Sequence, residues 1–356
     1  MSACGACLRR SLLLIELGGV LDCRAGDRRR LLELLAGDSD ELVEALGGRR
    51  KAALRAVLAR PQQEPDGAGV PAVCRHRQGF PVALAGPGAA HLLYLAGRPG
   101  CLDEAAAAPM VALVGSRRPS EYGIEMAHSI ARTLAASGSC VVSLLADGIA
   151  RAARDGARRE GRAGMLVLAD GLPPSGTSHG SEMTAHTART GCAVSELPPG
   201  RPGRRWGAIA AERTVVELAD LVIVVEAEHT PAQLFVAEHA RASGRVLAAV
   251  PGRSTSHLAK GPLALLREGA KLVRGPDDAL ELLDLDPGHR ERSNGSSPAG
   301  LSPALRRVLE RVAGGHDTPE QLLGGSDCGS VLAALSQLEL MGRLRRGRGG
   351  RYVVCV

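Results

Sequence analysis

Residues 111–145 read VALVGSRRPSEYGIEMAHSIARTLAASGSCVVSLL, and this stretch decides the fold. It opens with a short apolar run at 111–114 and closes with a second one at 140–145. Between them, apolar residues recur at helical spacing, at positions 124, 127, 130, 131 and 134. A helix between two strands that are apolar throughout predicts a βαβ unit in a parallel sheet covered on both faces.

The same alternation continues to about residue 285. Further short apolar runs lie at 165–169, 192–197, 221–226, 246–250 and, more weakly, 271–273. Helical patterns separate most of these runs. The sequence therefore predicts a Rossmann-like α/β domain at 105–285, built on a doubly wound parallel sheet.

The segments on either side have other patterns. Residues 1–60 carry leucines at helical spacing with short glycine breaks, which predicts a small helical module of the SAM or helix-hairpin-helix kind. We interpret 61–104 as a connector and the start of the central domain, and the polar residues 286–300 as a linker. Residues 301–356 show three helical patterns and two short strands, which predicts a winged-helix domain.

The composition is that of a globular protein with more than one domain. The 356 residues are 45% hydrophobic and 23% charged, and no apolar run approaches the roughly 18 residues of a membrane span. A net charge of +6 mildly favours polyanionic partners. Nine scattered cysteines, an odd number, argue against a disulfide framework and predict a cytoplasmic protein.

One pair of cysteines is closely spaced. Cys4 and Cys7 form a C-x-x-C pair, which with Cys74 and His76 would supply four ligands suited to zinc. Two short clusters so far apart in the chain are a weak signal, and free thiols are the simpler interpretation. From the sequence we assign no metal site and no cofactor.

The turn after the first parallel strand is a candidate anion site. Gly115, Ser116, Arg117 and Arg118 follow the strand directly, and a helix begins near Gly123. Sheets of this kind bind ligands at the carboxyl ends of their strands, where a helix N-terminus offers N–H groups to a phosphate. We favour an anion site over a turn that needs glycine only for its geometry. The dinucleotide fingerprint G-x-G-x-x-G is absent here.

Candidate catalytic groups are few. Asp147, Glu196 and Glu226 lie near strand ends, but no Ser/His/Asp arrangement or Walker A lysine accompanies them, so we predict no catalytic residue. Aromatic residues make up 2% of the chain, which leaves few platforms for base stacking, and Trp206 is interpreted as a core or interface anchor.

Arginines cluster in the predicted C-terminal wing. Such a wing suits contacts with the phosphate backbone of DNA, or equally a solvated edge on a module that docks a protein partner. The candidate contacts are Arg343, Arg345, Arg346 and Arg348.

Six motifs follow one another in a recognisable order. They are VALVGSRRPSEYG at 111–123, SLLADGIARAARDGA at 143–157, SELPPG at 195–200, RRWGAIAAERTVVELADLVIVVEA at 204–227, ASGRVLAAVPG at 242–252 and EGAKLVRGPDD at 268–278. In this order the chain resembles the DNA-processing protein A family (DprA, also called Smf), and its end segments resemble actinobacterial members. The resemblance implies a non-enzymatic cytoplasmic homodimer that binds single-stranded DNA, protects incoming DNA and helps load RecA recombinase in natural transformation.

The resemblance also implies which residues bind DNA. Most of the candidates occupy positions that match the family's motifs, beginning with the turn after the first parallel strand. The expected DNA- or phosphate-binding residues are Gly115, Ser116, Arg117, Arg118, Gly123, Ser143, Gly148 and Arg213.

Several polar positions of the family's motifs are changed. Where the family reads S-G-x-A-x-G-I-D-x-x-A-H, residues 143–154 lack a glycine, the aspartate and the histidine, with Leu144 in place of the glycine. The family's F-P-x-R-N-R reads AIAAER at 208–213, so Glu212 replaces an asparagine, and its S-G-S-L-x-T-A reads PAQLFVA at 231–237. Leu144 is expected to crowd a phosphate and Glu212 to repel one.

Three functions remain open at this point. In the first, the chain is a divergent DprA that binds DNA through Arg117, Arg213 and the wing. In the second, it is a dimeric scaffold whose pocket no longer binds DNA. Third is a nucleotide-cleaving enzyme of the lysine-decarboxylase-like group, whose P-G-G-x-G-T-x-x-E motif is not supplied by PGRS at 251–254. We rank them in that order.

Overall fold

The computed structural model describes residues 3–60, 70–84, 86, 88–160, 164–173 and 191–284, and in the C-terminal part 305, 308, 311–312, 328–340, 344–346 and 352–354. The chain divides into two compact units, Met1–Leu285 and Asp286–Val356. No helix within the described residues is long and apolar enough to cross a membrane.

The larger unit is built on a nine-stranded sheet. Its strands are β1 Ala72–Cys74, β2 Leu92–Gly97, β3 Met110–Val114, β4 Cys140–Leu144, β5 Met165–Leu168, β6 Cys192–Ser195, β7 Leu221–Val224, β8 Val246–Ala249 and β9 Lys271–Leu272. The spatial order is β1-β2-β6-β5-β4-β3-β7-β8-β9, and β3 to β9 are parallel to their neighbours within that set. All seven apolar runs identified in the sequence form these parallel strands, which confirms the predicted α/β class.

The sheet is mixed, which corrects the prediction of a purely parallel one. β1 pairs with β2 antiparallel, and β2 pairs with β6 antiparallel through Tyr94–Ser195 to Gly97–Cys192. Both strands fall in 61–104, which the sequence analysis treated as a connector and the start of the domain. A three-residue strand has no measurable periodicity, and the apolar run at β2 does not by itself distinguish strand from helix.

Helices cover both faces of the sheet. They are α1 Gly5–Glu16, α2 Gly18–Arg24, α3 Arg28–Ala36, α4 Ser39–Leu46, α5 Lys51–Ala59, α6 Cys101–Ala106, α7 Glu121–Ala136, α8 Ile149–Arg159, α9 Arg204–Leu218, α10 Pro231–Ala242, α11 Lys260–Arg267 and α12 Pro276–Asp284. Alternate residues of each strand point to opposite faces. Val111 and Leu113 pack with α7, α8 and α12, whereas Ala112 packs with α9, α10 and α11.

The N-terminal helices pack against α9 in the same unit. Leu13, Leu17 and Leu21 share one apolar cluster with Trp206 of α9, whose side chain is 1% exposed. Asp22 caps the start of α9 by accepting a hydrogen bond from the Trp206 N–H at 3.1 Å. Trp206 is therefore the core anchor that its isolation in the sequence suggested.

The described parts of the smaller unit are mostly helical and β-hairpin residues. Helix α13, Cys328–Leu340, precedes an antiparallel pair of strands, β10 Leu344–Arg346 and β11 Tyr352–Val354. Its buried cluster contains Leu305, Val308, Val312, Val331, Ala334, Leu335, Leu338, Leu344 and Tyr352. The predicted helix near residues 319–323 lies outside the described residues, so the winged-helix topology stays a prediction.

Candidate functional site

The direction in which strands are added to the sheet reverses at β3. β4, β5 and β6 lie on one side of it, and β7, β8 and β9 lie on the other. The loops that leave β3 and β7 therefore lead to helices on opposite faces of the sheet, α7 and α10. Open α/β sheets bind ligands in the crevice at this position of the carboxyl edge. Residues 115–120 and 225–226 occupy it.

Gly115 lets these two loops approach each other. A Cβ at Gly115 would lie 2.6 Å from the Glu226 carbonyl oxygen and 2.9 Å from Cγ1 of Ile149. The Ser116 N–H donates to the same carbonyl at 2.7 Å. The glycine in this motif is thus explained by close packing of two backbones.

A carboxylate of the chain occupies the N-terminus of α7. The Ser120 N–H donates to Glu226 Oε2 at 2.8 Å and the Ser120 hydroxyl donates to Oε1 at 2.6 Å. Glu226 is 5% exposed, and a Cβ at Gly123 would lie 2.3 Å from its Oε2. Two of the N–H groups expected to be free for a phosphate, those of Ser120 and Gly123, are therefore already bound by Glu226 and by the Ser120 hydroxyl.

A second loop, between β4 and α8, touches the first. Gly148 has φ +76°, and a Cβ there would lie 2.3 Å from the Ser116 carbonyl oxygen, which accepts a hydrogen bond from the Ile149 N–H at 3.1 Å. Arg154, where the family has histidine, donates to the carbonyls of Leu144 and Ala146. These hydrogen bonds from Arg154 thus stabilise the loop between β4 and α8 from its buried side.

Ser143 does not reach this surface. Its residue is 1% exposed, and its hydroxyl has no hydrogen-bond partner among the described residues. The predicted role of the Ser143 side chain as a direct ligand contact does not fit this position.

Arg117 and Arg118 are the exposed cations of the crevice. Neither forms a salt bridge within the described part of the chain. The Arg118 N–H donates to Ser116 Oγ at 3.0 Å, which fixes the turn that carries them. Two exposed guanidinium groups at a sheet switch point suit bidentate contacts with phosphates.

Arg213 is buried, contrary to its predicted role at the surface. Its side chain is 2% exposed and pairs with Glu196, which also accepts a hydrogen bond from Thr214 Oγ1. Its Nε and Nη1 atoms have no hydrogen-bond partner among the described residues. Arg213 lines a small pocket of about 20 Å³ together with Arg10 and other residues, and it also lines the wide groove between α3 and α10.

Glu212 is balanced by an arginine of the N-terminal helices. Arg28 Nη1 lies 2.5 Å from Glu212 Oε2, and the Arg28 guanidinium stands 4.9 Å from the centre of the Phe235 ring. Burial raises the pKa of Glu212, while the charges of Arg28 and Arg117 lower it by less. The repulsion of DNA expected from Glu212 is therefore reduced by a contact that sequence reasoning missed, since the pair is 184 residues apart.

A wide groove lies between α3 and α10. Its volume is about 1050 Å³, and its lining includes Arg28, Arg29, Glu33, Phe235 and Glu238. Acidic and basic side chains both line it, so its charge does not favour a polyanion over other ligands. Among the described residues, its lining includes none from the β3 and β7 loops at 115–120 and 225–226.

Only some of the arginines predicted to bind DNA in the wing lie among the described residues. Arg345 and Arg346 lie on β10, opposite Val353 and Tyr352 of β11. Arg343 and Arg348 lie outside the described residues.

The sheet order and its helical layers define a Rossmann-like α/β protein with an N-terminal helical region. Residues 72–284 match the family model described as DNA recombination-mediator protein A. The chain is 35% identical over 263 residues to the putative DNA processing protein DprA of Mycobacterium tuberculosis, a match that covers 71% of this chain and 66% of that protein. It is also 31% identical over 250 residues to the Smf protein of Escherichia coli, with 67% and 66% covered. The chain belongs to the DprA/Smf family.

Two solved structures share the fold. That of DprA from Streptococcus pneumoniae superposes with a TM-score of 0.59 at 24% identity, and the match covers 79% of this chain and 98% of that one. That of DprA from Helicobacter pylori, reported with a single-stranded DNA binding mode, gives a TM-score of 0.50 at 24% identity, with 59% and 98% covered. The matches to the mycobacterial proteins span about two thirds of their length.

Proposed function

We propose that this protein binds single-stranded DNA through the turn after β3, as a non-enzymatic member of its family. The observation that carries the proposal is the pair of exposed arginines, Arg117 and Arg118, without salt bridges in the described chain and placed at the switch point of the sheet. The single-stranded DNA binding mode reported for the Helicobacter pylori relative supports it.

DNA contacts in this proposal come mainly from side chains. Glu226 occupies the α7 N-terminus, and Arg213 and Ser143 are inside the protein. The contribution of backbone N–H groups to phosphate binding is therefore small, and the arginines carry it. Binding of this kind weakens steeply with salt because it depends on release of counterions from the nucleic acid.

We extend the proposal to the cellular role that the resemblance to the family implies. The protein acts as a cytoplasmic homodimer that protects incoming DNA and helps load RecA recombinase on it during natural transformation. Arg343, Arg345, Arg346 and Arg348 of the wing add phosphate contacts. Light scattering tests the dimer, and RecA filament assembly on DNA coated with single-strand-binding protein tests the loading step.

Fluorescence anisotropy with a labelled poly-dT oligonucleotide tests the DNA-binding step. We expect the protein to bind poly-dT more tightly than duplex DNA. In Arg117→Ala the affinity should fall by about five- to tenfold. The slope of log affinity against log salt concentration should become shallower by about 0.7 for one lost phosphate contact. Arg159→Ala is the matched control, since Arg159 is exposed but ends α8 about 15 Å from Gly148. Equal losses in both variants would refute a specific role for the turn.

The burial of polar pocket residues favours one alternative, a dimeric scaffold that does not bind DNA. Glu226 already occupies the helix end where a phosphate was expected. A folded protein that shows no salt-sensitive binding to poly-dT in the same titration would establish the scaffold over the DNA-binding protein.

A further inference from the structure

Four potential metal ligands from two distant parts of the chain meet at the edge of the sheet. Cys4 and Cys7 belong to the start of α1, and Cys74 and His76 lie at and just after the end of β1. Their ligand atoms all lie within 4.8 Å of one another. Folding therefore brings together two clusters that are about 70 residues apart in sequence.

The distances agree with a tetrahedral ion. His76 Nδ1 lies 3.5 Å from Cys4 Sγ and 3.3 Å from Cys7 Sγ. Zinc with bonds of about 2.3 Å to sulfur and about 2.0 Å to nitrogen places a sulfur and a nitrogen ligand about 3.5 Å apart, and two sulfurs about 3.8 Å apart. A single ion fits between these four atoms with small side-chain adjustments.

The local backbone suits a compact set of ligands at this place. Cys4 is the N-cap of α1 and Cys7 lies in its first turn, so both sulfurs lie at the same end of the helix. The Cys4 N–H points at Cys74 Sγ at 3.3 Å, which orients this sulfur. Cys7 and Cys74 are buried, whereas His76 is exposed and leaves a path from solvent.

We propose that Cys4, Cys7, Cys74 and His76 form a structural zinc site that fastens α1 to the edge strand of the sheet. Three thiolates and one imidazole complete a tetrahedron and leave no open position for a substrate, which distinguishes a structural site from a catalytic one. Three sulfur ligands favour zinc over magnesium or calcium, which take oxygen ligands. This inference is independent of the proposed DNA binding.

The site would join segments that the fold otherwise connects through packing. Residues 61–69, between α5 and β1, lie outside the described residues, and the four ligands bridge across this interval. Metal bound only by the folded state adds its binding free energy to folding. The ion would thus add to the packing of Cys7 and Leu8 that already attaches α1 at the β1 edge.

Metal analysis of the full chain tests the site. The protein is purified without an affinity tag that binds metals, dialysed against metal-free buffer and measured by inductively coupled plasma mass spectrometry. We expect about one zinc per chain for a single four-ligand site. Cys74→Ser and His76→Ala should lower zinc content at least fivefold, while the control Cys23→Ser, an exposed cysteine outside the cluster, should keep it.

A second measurement decides the matter if the ligand variants do not fold. Stepwise titration of the parent protein with a mercurial reagent should release zinc, detected with a chromogenic chelator, and cobalt substitution should give the thiolate charge-transfer and intense visible bands of tetrahedral coordination. A folded parent protein without zinc, iron in place of zinc, a Cys4–Cys7 disulfide in the protein as isolated, or zinc retained in folded Cys74→Ser would each overturn the proposal.

Discussion

At the scale of single residues, close contacts with neighbouring atoms explain why glycine occupies two positions of the family's motifs. Gly123 is needed because the Glu226 carboxylate lies where its Cβ would be, and Gly148 because Ser116 lies equally close. Gly148 also has positive φ, which other residues adopt only with strain. These positions therefore preserve the backbone of the crevice even where its polar side chains have changed.

Gly123→Ala tests this interpretation. We expect it to lower the free energy of unfolding by about 1–3 kcal/mol, because the added methyl group displaces Glu226 from its contacts with Ser120. Gly19→Ala is the control: Gly19 lies in α2 with nothing within 4 Å of its Cβ position, so it should be neutral or slightly stabilising. Urea denaturation measures both. Equal midpoints for the two variants would contradict the packing argument.

At the scale of elements, the sequence predicted the parallel strands because short, mostly apolar runs alternate with helical patterns, as they do in βαβ units. It missed β1 and β2, since three residues such as 72–74 show no periodicity. It also missed the pairing of Ser120 with Glu226, which are 106 positions apart. Motifs indicated where the crevice lies, but the contacts that occupy it are long-range and depend on the sheet order.

The Arg28–Glu212 ion pair joins α3 to α9 and makes the stability of that junction dependent on pH. In Arg28→Ala, burial should raise the pKa of Glu212 further above its ordinary value of 4.5, so the folded state retains more protons than the unfolded state. Stability is then lost as pH rises from the unfolded pKa through the folded one. We expect a loss of about 1–2 kcal/mol at pH 8, discounted for partial exposure, and a smaller loss at pH 5.

Urea denaturation at the two pH values measures this effect. The double variant Arg28→Ala with Glu212→Gln is the control, because it removes the titrating group along with its partner. It should lose most of the pH dependence that the single variant adds. A single variant with the same loss at both pH values would show that Arg28 stabilises the junction through Phe235 alone.

At the scale of the whole molecule, the chain divides into two compact units, so the proposed contribution of each unit to DNA binding can be tested separately. A chain ending at residue 285 should fold, because the sheet, its helical layers and the four proposed zinc ligands all lie within it. Without the wing, its log–log salt slope for poly-dT binding should be shallower by up to about 3, at roughly 0.7 for each of four arginine contacts. An unchanged slope would show that the wing does not touch DNA.

The carboxylate at the start of α7 has a consequence for ligand size. A mononucleotide gains affinity from a rigid cradle of backbone N–H groups around one phosphate, and here Glu226 already takes that place. Flexible arginines at the rim contribute little binding free energy with a single phosphate. Along a polymer with many phosphates, these small contributions add up. If the crevice binds DNA as proposed, it should therefore favour the polymer over its monomers, and free nucleotides in the cell should compete weakly with DNA for it.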